Sequence, residues 1–140
     1  MLPMPPHHRR EATRVDDWQI YLEKFAAWGA APSIEGYLAL FDPDATLQHS
    51  GMPEPISGDD IRAFITRGLN SVADYRLVPT NWAARGDTLF IETRQSARIA
   101  GCEVTWPAAL CLTLRGDRVL KGQAYYDPTV VAKVLAESAA

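Results

Sequence analysis

The spacing of apolar residues changes once along this chain, from a helical period before Asn70 to a strand period after it. Before that point, three segments place apolar residues three or four positions apart, which predicts amphipathic helices. After it, four segments alternate apolar and polar residues between Gly-containing turns, which predicts an antiparallel meander. Helices followed by a long meander are typical of the α+β class, and a curved sheet over helices leaves a pocket between the layers.

The bounds of these elements follow from the pattern and its breaks. Helices are predicted over 15–30, 33–41 and 57–72, with a short strand over 45–49. The strands of the meander are predicted over 75–84, 88–99, 102–114 and 118–126. Ser33 is expected to cap the second helix, and Asp127 is expected to cap a last helix that begins at Pro128. Asp60 has the position of the acid in a capping box.

Length and composition indicate the class of protein. The chain has 140 residues, which suits one domain, and we expect a disordered Pro-rich tail over 1–14 and a single domain over 15–138. The net charge of −3 argues against a nucleic-acid partner, and no apolar run approaches the ~20 residues of a membrane span. No signal peptide stands at the start, so a cytoplasmic location is expected.

The two cysteines are expected to be unpaired. Cys102 and Cys111 are nine positions apart, so on one strand their side chains point to opposite faces. We therefore interpret both as small buried apolar residues.

Four segments occur in the order and spacing of one protein family: LFDPDAT (40–46), SGDDIRAF (57–64), NWAARGDTLF (81–90) and AYYDP (124–128). Together they resemble the SnoaL-like, ketosteroid isomerase-like branch of the nuclear transport factor 2-like superfamily. The resemblance implies a cone-shaped fold, in which a curved antiparallel sheet packs against three N-terminal helices, and it implies a homodimer. Relatives include isomerases, dehydratases, epoxide hydrolases, polyketide cyclases and non-catalytic partners, so the fold does not fix the function.

His49 is the first candidate for a catalytic residue. The resemblance places it where ketosteroid isomerases carry their base, and an imidazole can transfer protons near neutral pH. The alternatives are a histidine bonded to backbone at a strand end and a lone metal ligand. No second His or Cys lies at ligand spacing, so neither a metal nor a cofactor is expected.

The other catalytic positions of the family hold residues without that chemistry. The oxyanion donors of ketosteroid isomerases align with Phe25 and with Ala109 or Leu110. The acids and the arginine of epoxide hydrolases align with Thr93, Gln95 and Ala124.

Three further residues are candidates for positions around the reacting atoms. Gln95 and Tyr126 are expected to orient or polarise a substrate oxygen, although Gln95 could instead bond to Thr93 or to a water molecule. Asp127 is either catalytic or only a helix cap. The residues expected to line the substrate pocket are Phe25, Trp28, Phe41, Phe64, Trp82, Thr93, Trp106, Leu110 and Ala124.

The sequence supports three functional hypotheses. The first is a small enzyme that carries out cofactor-independent proton transfer (isomerisation, cyclisation or dehydration) on an apolar, cyclic substrate such as a polyketide or a steroid-like ring. The second is a non-catalytic module that binds a small apolar molecule. The third is an interaction subunit that pairs through the convex face of the sheet, where Glu92, Arg94, Ser96 and Arg98 are expected to face water or a partner.

Overall fold

The computed structural model describes residues 16–130 and 132–133. The described residues include the helices α1 (Asp17–Ala30), α2 (Ile34–Leu38) and α3 (Asp59–Asn70), and residues 129–130 and 132–133 are also helical. The strands are β1 (Phe41–His49), β2 (Ile56–Ser57), β3 (Ala73–Arg85), β4 (Thr88–Ile99), β5 (Cys102–Arg115) and β6 (Arg118–Tyr125). The predicted tail over 1–14 and much of the predicted last helix, residue 131 and the residues from 134 onward, lie outside the described residues.

The helices form where the apolar period predicts them. Tyr21, Phe25 and Trp28 of α1 share one buried face. The Ser33 hydroxyl accepts a hydrogen bond from the backbone N–H of Gly36 at 3.0 Å, which confirms the predicted cap of α2. Within the described part of the chain, no helix combines the length and the apolar character needed to cross a membrane.

The predicted capping box at the third helix is wrong. Gly58 is the N-cap of α3, and no side chain bonds to the first turn there. The backbone of Gly58 has φ 55°, a conformation that favours glycine, so the helix begins one residue later than the box requires.

The sheet is curved and open, and it is mostly antiparallel as expected, although one parallel pair makes it mixed. Its strand order is β2-β1-β6-β5-β4-β3, and the meander from β3 to β6 is antiparallel as predicted. However, β1 pairs with β6 in parallel, with Leu47 beside Gly122 and His49 beside Ala124. After β1 the chain passes through β2 and α3 to β3, at the opposite edge of the sheet. The meander then returns strand by strand, so that its last strand, β6, lies beside β1 and runs in the same direction.

The break expected at Asp42–Asp44 is part of a longer strand. β1 already begins at Phe41, and its pairing with β6 shifts register between Phe41 and Thr46. The irregularity accommodates the exposed Pro43, which cannot donate to a ladder. Phe41 therefore belongs to the strand and not to α2.

Strand alternation separates an inner face from an outer face of the sheet. On β4, Leu89, Ile91 and Thr93 are buried, whereas Glu92 and Arg94 are exposed, as the sequence predicts. The inner face packs on the helices and contains most of the hydrophobic core. The outer face contains the charged side chains of β4.

Neither cysteine forms a disulfide, as expected. The prediction that both are buried is wrong for Cys102, which is exposed. It begins β5 directly after the turn at Ala100–Gly101, where no element covers it. Cys111 is partly buried.

Helix α1 approaches β3 closely at Gly29. A Cβ atom at this position would lie 2.1 Å from the carbonyl oxygen of Leu77. The helix can therefore pack at this distance only because residue 29 has no side chain.

We expect Gly29→Ala to destabilise the fold by about 1–3 kcal/mol, because a backbone carbonyl cannot move aside as a side chain can. Gly68→Ala is the matched control: Gly68 is also helical, but a Cβ there meets nothing within 4 Å. We expect this control to be neutral or stabilising by about 1 kcal/mol. Chemical denaturation measures both, and equal stabilities of the two variants would contradict the close contact.

Candidate functional site

A cavity lies between the inner face of the sheet and the helices. Its volume is about 330 Å³, and its wall is mostly apolar. Nine of the side chains that line it are phenylalanine, tyrosine or tryptophan: Tyr21, Phe25, Trp28, Tyr37, Phe41, Phe64, Tyr75, Trp106 and Tyr126. A concave apolar site with few polar groups is the usual form of a small-molecule site.

His49 and Tyr126 form one polar pair in this cavity. His49 ends β1 and lies beside Ala124 in the parallel ladder, and strand alternation brings Tyr126 to the same face two residues later. The Nδ1 atom of His49 is 2.9 Å from the hydroxyl oxygen of Tyr126. The edge of the imidazole also contacts the ring of Phe64, with centroids 4.5 Å apart. The imidazole is therefore held in one orientation.

Burial keeps this pair uncharged at neutral pH. It lowers the pKa of His49 from its ordinary value near 6.5 to about 4. It also raises the pKa of the Tyr126 hydroxyl. At pH 7 one hydrogen therefore joins Nδ1 of His49 and the phenol oxygen of Tyr126. In one tautomer of His49 the Nδ1–H group donates to the phenol oxygen, and in the other the phenol donates to Nδ1.

Gln95 and Tyr75 form a second polar pair. The Tyr75 hydroxyl donates to Gln95 Oε1 at 2.5 Å, and Gln95 Nε2 donates to Thr93 Oγ1 at 3.2 Å. The Thr93 hydroxyl in turn donates to the carbonyl oxygen of Ala108 at 3.2 Å. These bonds fix which end of the Gln95 amide is the oxygen. The Tyr75 ring also contacts two tryptophan rings of the wall, those of Trp28 and Trp106.

The structure brings most of the predicted site residues to the cavity wall. The candidates for chemistry that line it are His49, Gln95 and Tyr126. The expected pocket residues that line it are Phe25, Trp28, Phe41, Phe64, Trp106, Leu110 and Ala124. The structure gives the positions of these side chains, and their catalytic roles stay predictions.

Three predicted residues do not line the cavity. Trp82 is 48% exposed, because α1 covers β3 at Leu77 and leaves the end toward Arg85 open. Thr93 is buried, but it supports Gln95 instead of facing the cavity. Asp127 is exposed and accepts hydrogen bonds from the backbone N–H and the hydroxyl of Thr129 at 2.9 and 2.6 Å. These bonds lower its pKa and are those expected of a helix cap, while a catalytic role of Asp127 stays an untested prediction.

Sequence reasoning missed three tyrosines of the wall as polar groups. Tyr21 and Tyr37 lie within the first two predicted helices, and Tyr75 begins a predicted strand, but none of them was a candidate for the site. Burial raises the pKa of all three phenols. Strand alternation could have identified Tyr75, because it shares a face with the buried Leu77.

The described residues contain no group of three or more His, Cys, Asp or Glu side chains that could hold a metal ion.

Comparison with known proteins identifies a matching family and shared folds. The family model of the SnoaL-like domain matches residues 22–121. No curated protein matches the sequence significantly. A protein of ketosteroid isomerase-like fold from Catenulispora acidiphila, solved in complex with trimethylamine, superposes with a TM-score of 0.72 at 23% identity, over 85% of this chain and 92% of that chain.

Two further solved structures share the fold at lower identity. A candidate SnoaL-like polyketide cyclase from a Jannaschia species superposes with a TM-score of 0.68 at 15% identity, over 88% of this chain and 96% of that one. AclR from Streptomyces galilaeus, a candidate hydroxylase, superposes with a TM-score of 0.75 at 14% identity, over 89% and 83%. At these identities the likeness shows the fold alone.

The buried imidazole makes the stability of the fold depend on pH. The unfolded chain binds a proton at His49 near pH 6.5, whereas the folded chain binds it only near pH 4. The contribution of His49 to the free energy of unfolding should be complete above pH 6.5. We expect it to fall by on the order of 3 kcal/mol as the pH is lowered toward 4. Urea denaturation at several pH values measures it.

The control for this pH dependence is His49→Gln, which cannot take up a proton. The difference in the free energy of unfolding between the two proteins should change between pH 6.5 and 4 and stay constant above pH 7. A difference that does not vary with pH would contradict the burial of the imidazole.

Proposed function

The chain belongs to the SnoaL-like domain family, and from this premise we propose that it is an enzyme that moves protons within an apolar, ring-bearing substrate without a cofactor. Isomerisation, cyclisation and dehydration are the reactions of this kind. The neighbours described as a polyketide cyclase and a hydroxylase make a catalytic role plausible for the fold. A polyketide or steroid-like ring is the substrate class that we propose.

The observation that carries this proposal is the bond between His49 and Tyr126 in an apolar cavity. In the tautomer with hydrogen on Nδ1, His49 donates to the Tyr126 oxygen and keeps a free lone pair on Nε2. The Tyr126 hydroxyl hydrogen is then available to a substrate oxygen. One pair can thus supply a general base and a hydrogen-bond donor.

The proposed reaction begins when Nε2 of His49 takes a proton from a substrate carbon next to a carbonyl group. Negative charge then develops on the carbonyl oxygen. Tyr126 is the donor that stabilises this oxygen, and the Gln95 amide, on the other side of β5, orients a second oxygen of the substrate. Tyr126 thus replaces the oxyanion donors missing at Phe25 and at Ala109 or Leu110. The proton returns from His49 to another atom of the same substrate, so the enzyme is unchanged.

The alternative is a module that binds its ligand without reaction. The absence of acids at the family's usual catalytic positions favours it, as does an imidazole that burial makes a weak base. In this case a ligand should raise the melting temperature and be recovered unchanged, which mass spectrometry can establish.

The predicted cytoplasmic location and the homodimer also remain proposals. The outer face of the sheet supports the homodimer, because large apolar side chains are exposed there. Val78 is 57% exposed, Phe90 49% and Tyr125 53%, and they belong to β3, β4 and β6. Single exposed apolar residues are ordinary, but three on one face favour an interface.

We expect the protein to accelerate exchange of the α-protons of 2-tetralone, an uncharged bicyclic ketone, in D₂O. His49→Ala should slow this exchange by about 100-fold or more, because general bases contribute about 10²–10⁴ to rates. His49→Gln should behave in the same way, since it also lacks a base. Proton NMR measures the exchange rate.

The matched control for the exchange experiment is Gln48→Leu, because Gln48 neighbours His49 but does not line the cavity. It should retain the rate of the unaltered protein. Full exchange by His49→Ala would remove the proposed role of His49. Binding of 2-tetralone without any acceleration would support the binding module instead.

The homodimer predicts that Phe90→Arg produces monomers in multi-angle light scattering at micromolar concentration. An arginine in the centre of an apolar interface is left without a partner, which opposes association. Ile20→Arg is the control, because Ile20 is 39% exposed on α1, away from the outer face. If the unaltered protein is already monomeric, the proposed homodimer is wrong.

A further inference from the structure

The lining of the cavity has a property that the proposed reaction does not require. Among the described residues that line it there is no Asp, Glu, Lys or Arg. Its polar groups are phenols, amides, indole N–H groups, one hydroxyl and one imidazole. The charged side chains of the neighbouring strand, Glu92, Arg94 and Arg98, are exposed on the outer face of the sheet. A charged ligand would therefore find no counter-ion among the described residues of the wall.

The titratable groups of the wall do not supply a charge at neutral pH either. Burial lowers the pKa of His49 to about 4 and raises those of Tyr21, Tyr37 and Tyr75. The imidazole and the phenols are thus neutral at pH 7. An ion that enters an apolar site without a partner loses its hydration and gains little in return.

Hydrogen bonding at Gln95 indicates which ligand atoms the wall can bind. Gln95 Oε1 accepts from Tyr75, and one hydrogen of Nε2 is donated to Thr93. The second hydrogen of Nε2 has no partner among the described residues, and Gln95 lines the cavity. This hydrogen is a donor for a ligand oxygen. Tyr75 keeps the donor in place, because its hydroxyl prevents the amide from turning around.

The two polar pairs are separated across the sheet. Tyr126 follows β6 and Gln95 belongs to β4, so one strand, β5, lies between them. This separation is about 10 Å at the backbone. Trp106 of β5 pairs with Gln95 and lines the wall between the two positions. A flat ring system can lie along the indole and place an oxygen at the Gln95 pair, at the Tyr126 pair or at both.

We propose that the cavity selects uncharged, flat, ring-bearing molecules with an acceptor oxygen that Gln95 binds, and that it excludes carboxylates and ammonium ions. Tyr75 is the positioning residue for Gln95. This inference concerns the cavity of the proposed function and narrows its substrate class, but it rests on binding and not on turnover.

The experiment compares four naphthalene probes of similar size by isothermal titration calorimetry at pH 7.5. 2-Acetylnaphthalene has an uncharged acceptor oxygen, 2-naphthoate has a carboxylate at the same position, 2-(aminomethyl)naphthalene has an ammonium group, and naphthalene has no polar atom. We expect the ketone to bind at least about 100-fold more tightly than the carboxylate or the ammonium compound, because an unpaired charge is costly to bury.

Variants test the part played by Gln95. Gln95→Leu should weaken binding of the ketone by about tenfold and leave naphthalene unaffected, because only one hydrogen bond is lost. Tyr75→Phe should weaken the ketone less, and Gln48→Leu should change neither ligand. A Gln95→Leu protein that binds the ketone as tightly as before would overturn the role of Gln95.

The ligand class and the proposed function can fail separately. Equal binding of naphthoate and the ketone, tighter binding of the ammonium compound, or no binding of the ketone would overturn the ligand class. Selective binding of the ketone without proton exchange in 2-tetralone would overturn the catalytic proposal and leave the ligand class intact.

Discussion

The cavity depends on the parallel pairing of β1 with β6. That ladder places His49 beside Ala124, so the strand that ends near α3 lies next to the strand that closes the meander. Tyr126 then reaches the same face two residues later, and its hydroxyl meets the imidazole at 2.9 Å. If β1 paired elsewhere, the imidazole would have neither its hydrogen-bond partner nor the burial that makes it neutral.

Local periodicity was sufficient to predict most of the elements and the faces of the strands. A strand has a period of two, so the charges of Glu92 and Arg94 assign Gln95 to the opposite, inner face. The same rule separates Tyr126 from Asp127, and the resemblance to SnoaL-like proteins indicates that Tyr126 is on the face toward the cavity. These assignments need only neighbours in the sequence, which is why they agree with the structure.

Apart from the capping box at α3, the main errors concern contacts between residues that are far apart in the sequence. Trp82 and Trp106 both pair with residues of the inner face, Ile91 and Gln95, but only Trp106 is buried. Alternation predicts a face and not which part of that face a helix covers. The parallel direction of β1 likewise follows from the crossover through α3, and the bond from Tyr75 to Gln95 joins two strands. No local pattern encodes these contacts.

An imidazole whose pKa is about 4 is a weak base, and protonating it at pH 7 costs about 4 kcal/mol. That cost falls if a negative charge forms nearby at the same time, because opposite charges attract more strongly in a low-dielectric cavity than in water. An enolate oxygen held by Tyr126 would be this charge. An uncharged substrate keeps the net charge of the cavity at zero throughout the reaction. On our proposals, the lack of charged side chains among the described residues of the wall therefore disfavours ionic ligands and also favours a transient ion pair between His49 and its substrate.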